Sequence, residues 1–88
     1  MQIEVVIKNK LGLHLRAAAE FIKLASSFKS DIFVEKDGEV VNGKSIMGIM
    51  ALAAAEGTKL IIKAEGEDAK DALEKLKILI DNKFGEKE

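Results

Sequence analysis

The spacing of apolar residues changes near the start of the chain. Ile3, Val5 and Ile7 alternate within a stretch that also holds Gln2 and Glu4, which predicts a strand over about residues 2 to 8 with one buried face. After a loop at residues 9 to 12, apolar side chains recur at positions 15, 18, 21, 22, 25 and 28. That spacing of three and four predicts an amphipathic helix over residues 15 to 28.

Turn and cap residues predict the remaining elements. Asp37-Gly38 is a two-residue turn signal between two short apolar runs, so residues 31 to 43 predict a β-hairpin. Ser45 is a good N-cap for the apolar segment after it, which predicts a short helix. Residues 58 to 65 predict a fourth strand, and residues 68 to 84 predict the longest helix. The buried stripe of that helix comprises Ala69, Ala72, Leu73, Leu76, Leu79, Ile80 and Phe84.

The order of these elements, βαββαβα, indicates an α+β fold with helices packed on one face of an antiparallel sheet. No linker, repeat or low-complexity segment divides the chain, so we expect a single domain over residues 1–88.

Composition excludes several classes of function. The 14 Lys and Arg residues and 15 Asp and Glu residues are interspersed and give a net charge of −1, which disfavours nucleic-acid binding. The chain has no cysteine and one histidine, so we expect no disulfide, no metal site and no other cofactor. The N-terminus lacks the features of a signal peptide, and no apolar run is long enough to span a membrane. The absence of cysteine is compatible with a reducing cytoplasm, and we expect a cytoplasmic protein.

The only histidine lies in LGLHLRAAAEF, residues 11 to 21. Gly12 allows a tight turn that places His14 at or beside the N-cap of the first helix. A helix start favours an anion and disfavours an imidazolium, so a neutral His14 beside the Arg16 guanidinium suits transient phosphorylation of a ring nitrogen. The first-turn N–H groups that would cradle the phosphate are those of Leu15, Arg16 and Ala17. A histidine that only caps or packs a helix end would have the same neighbours, so local chemistry establishes a candidate anion site and no more.

A second segment, NGKSIMGIM at residues 42 to 50, combines a cap with an apolar patch. A phosphate on Ser45 would meet the helix dipole and leave the fold intact. It would add negative charge beside Ile46, Met47 and Met50. Because a helix lying on a sheet cannot bury every face, we expect part of this patch to be exposed, and methionine suits an adaptable docking surface.

The two segments GLHLRAA and GKSIMGIM, with VEKDG between them and a final helix that begins GEDA, together resemble the HPr family. These are the histidine-containing phosphocarriers of the bacterial phosphoenolpyruvate-dependent sugar phosphotransferase system. The resemblance covers essentially the whole chain. It implies an open-faced β-sandwich of four antiparallel strands and three helices, and a monomeric carrier that is a covalent intermediate between enzymes without being one itself.

The resemblance also implies roles for individual residues. His14 would accept a phosphoryl group on Nδ1 from phospho-Enzyme I and pass it to a sugar-specific Enzyme IIA, and Arg16 would assist the transfer. Ser45 would be the regulatory site of an ATP-dependent HPr kinase/phosphorylase. The residues that dock partners would be Leu15, Ala19, Ile46, Met47 and Met50.

Two positions depart from the usual family motif, Gly-Leu-His-Ala-Arg-Pro-Ala. Leu15 stands where alanine is usual and adds apolar bulk beside the ring. Ala17 stands where proline is usual, so it restores an N–H to the cradle and gives up the rigidity of proline. We expect both changes to affect the choice of partner more than the chemistry.

Two other functions remain open at this point. A regulatory relative with the same fold would act mainly through phosphorylation of Ser45, and labelling by ATP instead of phosphoenolpyruvate would identify it. A ferredoxin-like ligand-binding domain also has the order βαββαβ. It explains neither His14 beside Arg16 nor the apolar second helix, and tight binding of a metabolite would favour it.

Overall fold

The computed structural model describes all residues from Met1 to Glu88. Its elements, in chain order, are β1 (Gln2–Val6), α1 (Leu15–Ala25), β2 (Asp31–Lys36), β3 (Glu39–Asn42), α2 (Ile46–Ala51), β4 (Lys59–Glu65) and α3 (Ala69–Asp81), followed by a 3-10 turn at Lys83–Gly85. The four strands form one antiparallel sheet in the order β1-β4-β2-β3. The predicted α+β class and open-faced sandwich are confirmed.

The sheet buries one face under the helices. Along β4, Leu60, Ile62 and Ala64 are buried, whereas Ile61 and Lys63 between them are partly exposed. The apolar positions of neighbouring strands stand on the same face because they are paired in register. α3 packs on β1 and β4, and α1 packs between α2 and α3. None of the helices has the length and apolar character needed to cross a membrane.

Turn chemistry places the hairpin where the sequence predicts it. Asp37 and Gly38 both have positive φ values, 50° and 85°, and they join β2 to β3. Two consecutive residues with positive φ match the right-handed twist of the flanking strands. This hairpin leads directly to α2 and so positions Ser45.

Both long helices end earlier than their apolar spacing predicts. α1 ends at Ala25 and not at residue 28, although Phe28 is still buried. α3 ends at Asp81 and not at residue 84, because Lys83 and Phe84 adopt positive φ values of 57° and 55°. The spacing of apolar residues predicts which side chains are buried in the core, but a buried side chain need not belong to a helix. Phe84 is buried although it lies in the turn after α3. The residues after Phe84 therefore return towards the start of α1.

Asp68 ties α3 to the loop between α1 and β2. Its carboxylate accepts hydrogen bonds from the backbone N–H groups of Lys29 (2.8 Å) and Ser30 (2.9 Å) and from the Ser30 hydroxyl. These hydrogen bonds, above all the one from the Ser30 hydroxyl, lower the pKa of Asp68. The charged form of Asp68 is therefore favoured in the folded protein.

The lowered pKa of Asp68 predicts a pH-dependent contribution to stability. The contribution is complete above the ordinary aspartate pKa of 3.8 and is lost as the pH falls through the lowered folded-state value. Asp68→Asn should lower the Tm at neutral pH and flatten the decline in Tm below about pH 4, measured by circular dichroism. Asp31→Asn, at an exposed position without a side-chain hydrogen bond, is the control. An Asp68→Asn profile parallel to that of the wild type would contradict this role.

Candidate functional site

A close backbone approach fixes the loop that leads into α1. Gly12 has a φ of +67°, and a Cβ at this position would lie 2.5 Å from the carbonyl oxygen of Ala54. Leu13 is buried, and its N–H donates to the same carbonyl at 2.8 Å. These constraints place His14 at the N-cap of α1, as predicted, with its side chain 29% exposed.

The first turn of α1 has unpaired N–H groups. The His14 side chain makes no cap hydrogen bond, and the N–H groups of Leu15, Arg16 and Ala17 have no acceptor. Leu15 and Arg16 are exposed, so this end of the helix faces solvent. Ala17 is completely buried. The prediction that its N–H is available to a phosphate is therefore wrong. Of the three predicted cradle groups, two belong to exposed residues.

A carboxylate from the C-terminal tail holds the His14 ring. Oε2 of Glu86 is hydrogen-bonded to Nε2 of His14, and Oε1 accepts a hydrogen bond from Nδ2 of Asn9 at 3.0 Å. Asn9 is fully buried, and its Nδ2 also donates to the carbonyl of Gly12 at 2.7 Å. A carboxylate only accepts hydrogen bonds, so the proton of a neutral ring is on Nε2 and the free lone pair is on Nδ1.

Glu86 is charged in this setting. Burial raises the pKa of Glu86, but the hydrogen bonds from His14 and Asn9, together with the nearby positive charge that includes Arg16, lower it further than burial raises it. The net pKa lies below the ordinary value for glutamate. The group that faces Nε2 is therefore an anion throughout the neutral pH range.

The structure places Arg16 in the same cleft as His14. Arg16 and His14 line one open cleft of about 960 Å³, together with Glu86. The other charged side chains of the cleft are Lys10, Glu20, Lys87 and Glu88. The cleft is open and most of its lining residues are charged, which suits an ion that must enter and leave more than a ligand that is enclosed.

Ser45 is the N-cap of α2, as predicted. Its hydroxyl oxygen accepts a hydrogen bond from the N–H of Gly48 at 3.1 Å, and the residue is partly exposed. The adjacent Lys44 extends in another direction, because its ammonium group donates to the carbonyl of Phe28 at 2.8 Å. A modification at Ser45 would replace a cap that already uses the positive end of this helix.

α2 turns one side to the core and another to solvent. Ile49 is 1% exposed, whereas Met47 is 79% exposed. The expectation that part of its apolar patch is exposed is therefore confirmed. The two helices α1 and α2 are in contact, and the five residues predicted to dock partners are exposed on them. We call these side chains the apolar surface: Leu15, Ala19, Ile46, Met47 and Met50.

Sequence reasoning does not find Glu86 or Asn9. Glu86 lies 72 residues from His14, and a helix that continued to residue 84 would carry it away from the ring. Asn9 appears in the sequence as one more loop residue. Three consecutive positive φ values, at Lys83, Phe84 and Gly85, bring the tail back, and neither lysine nor phenylalanine favours that conformation.

Comparison with known proteins identifies the family. The family model described as the PTS HPr component phosphorylation site matches residues 1–82. The chain belongs to the HPr family. It is 50% identical over 86 residues to phosphocarrier protein HPr of Neisseria meningitidis, across 98% of this chain and 94% of the relative. It is 51% identical over 76 residues to HPr-like protein Crh of Bacillus subtilis, across 86% and 89% of the two chains.

Solved structures of HPr proteins have the same fold. The crystal structure of HPr-C-His from Thermoanaerobacter tengcongensis superposes with a TM-score of 0.96 at 49% identity, over 100% of this chain and 99% of the other. An HPr from the same organism and Crh of Bacillus subtilis have each been crystallised as dimers, the latter by domain swapping. The expectation of a monomer therefore does not hold for every relative.

Membership of the HPr family decides between some of the functions left open. The chain belongs to a family of phosphocarriers of the phosphotransferase system, and the proteins of that family are not catalytic enzymes. The alternative interpretation of the chain as a ferredoxin-like ligand-binding domain is therefore wrong. The similarity to Crh keeps a regulatory HPr-like protein as the second candidate.

Proposed function

We propose that this chain carries a phosphoryl group on Nδ1 of His14, accepts it from phospho-Enzyme I in the cytoplasm, and passes it to a sugar-specific Enzyme IIA. The observation that carries the proposal is the hydrogen bond between Nε2 of His14 and Glu86. Because this bond occupies Nε2, Nδ1 is the nitrogen that can attack phosphorus.

The surroundings of Nδ1 match the charge that develops during transfer. A phosphoryl group passing between two imidazoles spreads negative charge over its three equatorial oxygens, and most of the catalysis is positioning and electrostatic stabilisation. The unpaired N–H groups at the start of α1 and the guanidinium of Arg16 supply positive charge without any further chemistry. Partner docking would exclude water from the open cleft.

The exposure of His14 suits a carrier. An enzyme that completes a reaction on its own encloses the substrate, whereas a carrier must present the same phosphoryl group to two different proteins. The 29% exposed side chain and the open cleft allow both a donor and an acceptor imidazole to approach.

The apolar surface lies on the two helices next to the site, which supports a role in docking. Met47 and Leu15 are 79% and 64% exposed, and they stand on two helices that are in contact. Exposed apolar side chains grouped in this way are typical of an interaction site. Leu15 directly follows His14, so a partner that covers this surface also covers the phosphorylated ring.

Ser45 gives a second, regulatory function, which an ATP-dependent HPr kinase/phosphorylase would control. Its hydroxyl caps α2 between the exposed side chains of Met47 and Ile46 and the end of β3. A phosphate there would place about two negative charges beside the apolar surface. The retained His14 favours a chain that has both functions over one that acts through Ser45 alone.

The carrier function is tested by phosphorylation with labelled phosphoenolpyruvate and bacterial Enzyme I. Wild type should gain an acid-labile label on His14, and His14→Ala should gain none because it lacks the nucleophile. Ser45→Ala is the matched control and should be labelled as the wild type is, since Ser45 is not the acceptor in this reaction. Acid-labile label on His14→Ala would contradict the assignment.

The docking role of the apolar surface predicts the effect of charge at Ser45. Ser45→Asp should weaken Enzyme I binding about tenfold in Kd at low salt, which is about 1.4 kcal/mol, and the effect should shrink as salt rises. Isothermal titration calorimetry measures both.

Ser26→Asp adds the same charge at the far, exposed end of α1 and serves as the control. It should bind Enzyme I with nearly wild-type affinity. An unchanged Kd for Ser45→Asp at low salt would count against this electrostatic account.

A further inference from the structure

We propose that Glu86 is a positioning residue for phosphoryl transfer: its carboxylate holds the proton on Nε2 of His14 and so keeps the lone pair on Nδ1, both before and after the ring is phosphorylated. This inference rests on the proposed carrier function. Glu86 lies beyond residues 1–82, which the family model matches, so the inference concerns a feature of this chain that the family assignment does not supply.

The tail that carries Glu86 is fixed on the body of the protein at several points. Phe84 is buried in the core, and the N–H groups of the next two residues donate to the carbonyls of Asn82 and Lys83, each at 3.0 Å. Further on, a side-chain oxygen of Glu88 accepts a hydrogen bond from the N–H of Lys10 at 2.7 Å. Glu86 is thus fixed by backbone hydrogen bonds of its own residue and of the residue before it, and by the side chain of Glu88 after it.

The hydrogen bonds of Asn9 restrict which type of side chain fits at position 86. Both oxygens of the carboxylate face donors, Nδ2 of Asn9 on one side and Nε2–H of His14 on the other. The Asn9 amide cannot turn over to offer its oxygen, because its Nδ2 also donates to the carbonyl of Gly12. A side chain with two acceptor atoms is therefore required at position 86, and only a carboxylate provides them.

An amide at position 86 would disrupt this arrangement. The side chain of glutamine has one oxygen, which accepts, and one NH₂ group, which donates. Since Asn9 and His14 both donate towards position 86, one of them would face the NH₂ group. If the glutamine NH₂ faced the ring, Nε2 would have to accept, and the proton would move to Nδ1. That tautomer has no lone pair on the nitrogen that must attack phosphorus. Replacement of one carboxylate oxygen of Glu86 by an NH₂ group would then move the free lone pair of His14 from Nδ1 to Nε2.

The proposed step balances without any other reactant. The Nδ1 lone pair of His14 forms a bond to phosphorus as the N–P bond of the donor imidazole breaks, and the electron pair of that bond stays on the donor nitrogen. The proton on Nε2 does not move, so the product is a phosphoimidazolium whose positive charge faces the Glu86 carboxylate. In the second transfer Nδ1 leaves with the electron pair of its bond to phosphorus, and the ring returns to the same neutral tautomer.

Other charges lie around the ring, but none is bonded to it. Arg16 and Glu20 of α1, Lys10 of the preceding loop, and Lys87 and Glu88 of the tail all line the same cleft. The one hydrogen bond of the ring is the one to Glu86. Glu20→Gln therefore removes a negative charge from the cleft without removing a contact of the imidazole, and it is the matched control for Glu86→Gln.

The test compares wild type, Glu86→Gln, Glu86→Ala and Glu20→Gln by two measurements. The first is the rate of phosphorylation of His14, both by phospho-Enzyme I and by phosphoramidate, a small donor that needs no docking. We expect both Glu86 variants to react about tenfold or more slowly with each donor. Glu20→Gln should react with phosphoramidate at least as fast as the wild type, because it removes a negative charge from the cleft and leaves the contact of the ring in place. The second measurement is the ¹⁵N NMR spectrum of the neutral His14 ring. It should show the proton on Nε2 in the wild type and in Glu20→Gln, and a shift of the proton towards Nδ1 in Glu86→Gln.

The outcomes separate the two proposals. A wild type that phospho-Enzyme I does not label overturns the proposed function, and the phosphoramidate rates and the NMR spectra still test the contact. Wild-type rates in both Glu86 variants overturn the positioning role, and so does a slow Glu86→Gln whose ring keeps the wild-type tautomer. Amide spectra of each variant show that the fold is retained. Glu86→Ala removes the carboxylate without introducing a donor, so a rate loss in that variant alone would also contradict the tautomer argument.

Discussion

The contact between Gly12 and the carbonyl of Ala54 determines where α1 begins. A Cβ at position 12 would lie 2.5 Å from that oxygen, and the φ of +67° disfavours any other residue. With the loop held there, Leu13 is buried and the side chain of the next residue, His14, is partly exposed to solvent. The chemistry of His14 therefore depends on a backbone contact that involves no functional side chain.

The second requirement is the reversal of the chain after α3. Three residues with positive φ values, Lys83, Phe84 and Gly85, turn the tail back towards α1, and burial of Phe84 stabilises that turn. Backbone strain of this kind costs on the order of 1–3 kcal/mol for each of the two non-glycine residues, and the burial of one phenylalanine side chain, about 1.5–3 kcal/mol, offsets part of that cost. The result is that Glu86 meets a ring 72 residues earlier in the chain.

The fold and half of the site could be predicted from the sequence, because they depend on local signals. The Asp37-Gly38 turn, the Ser45 cap and the position of His14 each rest on neighbours within a few residues. The helix ends at Ala25 and Asp81 could not be predicted, because Phe28 and Phe84 are buried without being helical. Glu86 and Asn9 were not predicted for a related reason: no short-range pattern marks a hydrogen bond between distant parts of the chain. The buried Ala17 N–H shows that the position of a residue in a helix does not by itself give its exposure.

The central claim is that Nδ1 of His14 is the phosphorylated atom because Nε2 is already engaged. Protein with ¹⁵N-labelled histidine, phosphorylated and examined by ¹⁵N and ³¹P NMR, tests it most directly. We expect phosphorus coupled to Nδ1 and the proton retained on Nε2. Phosphorus on Nε2 would contradict the claim, because the Glu86 contact would then have to break for the reaction to occur.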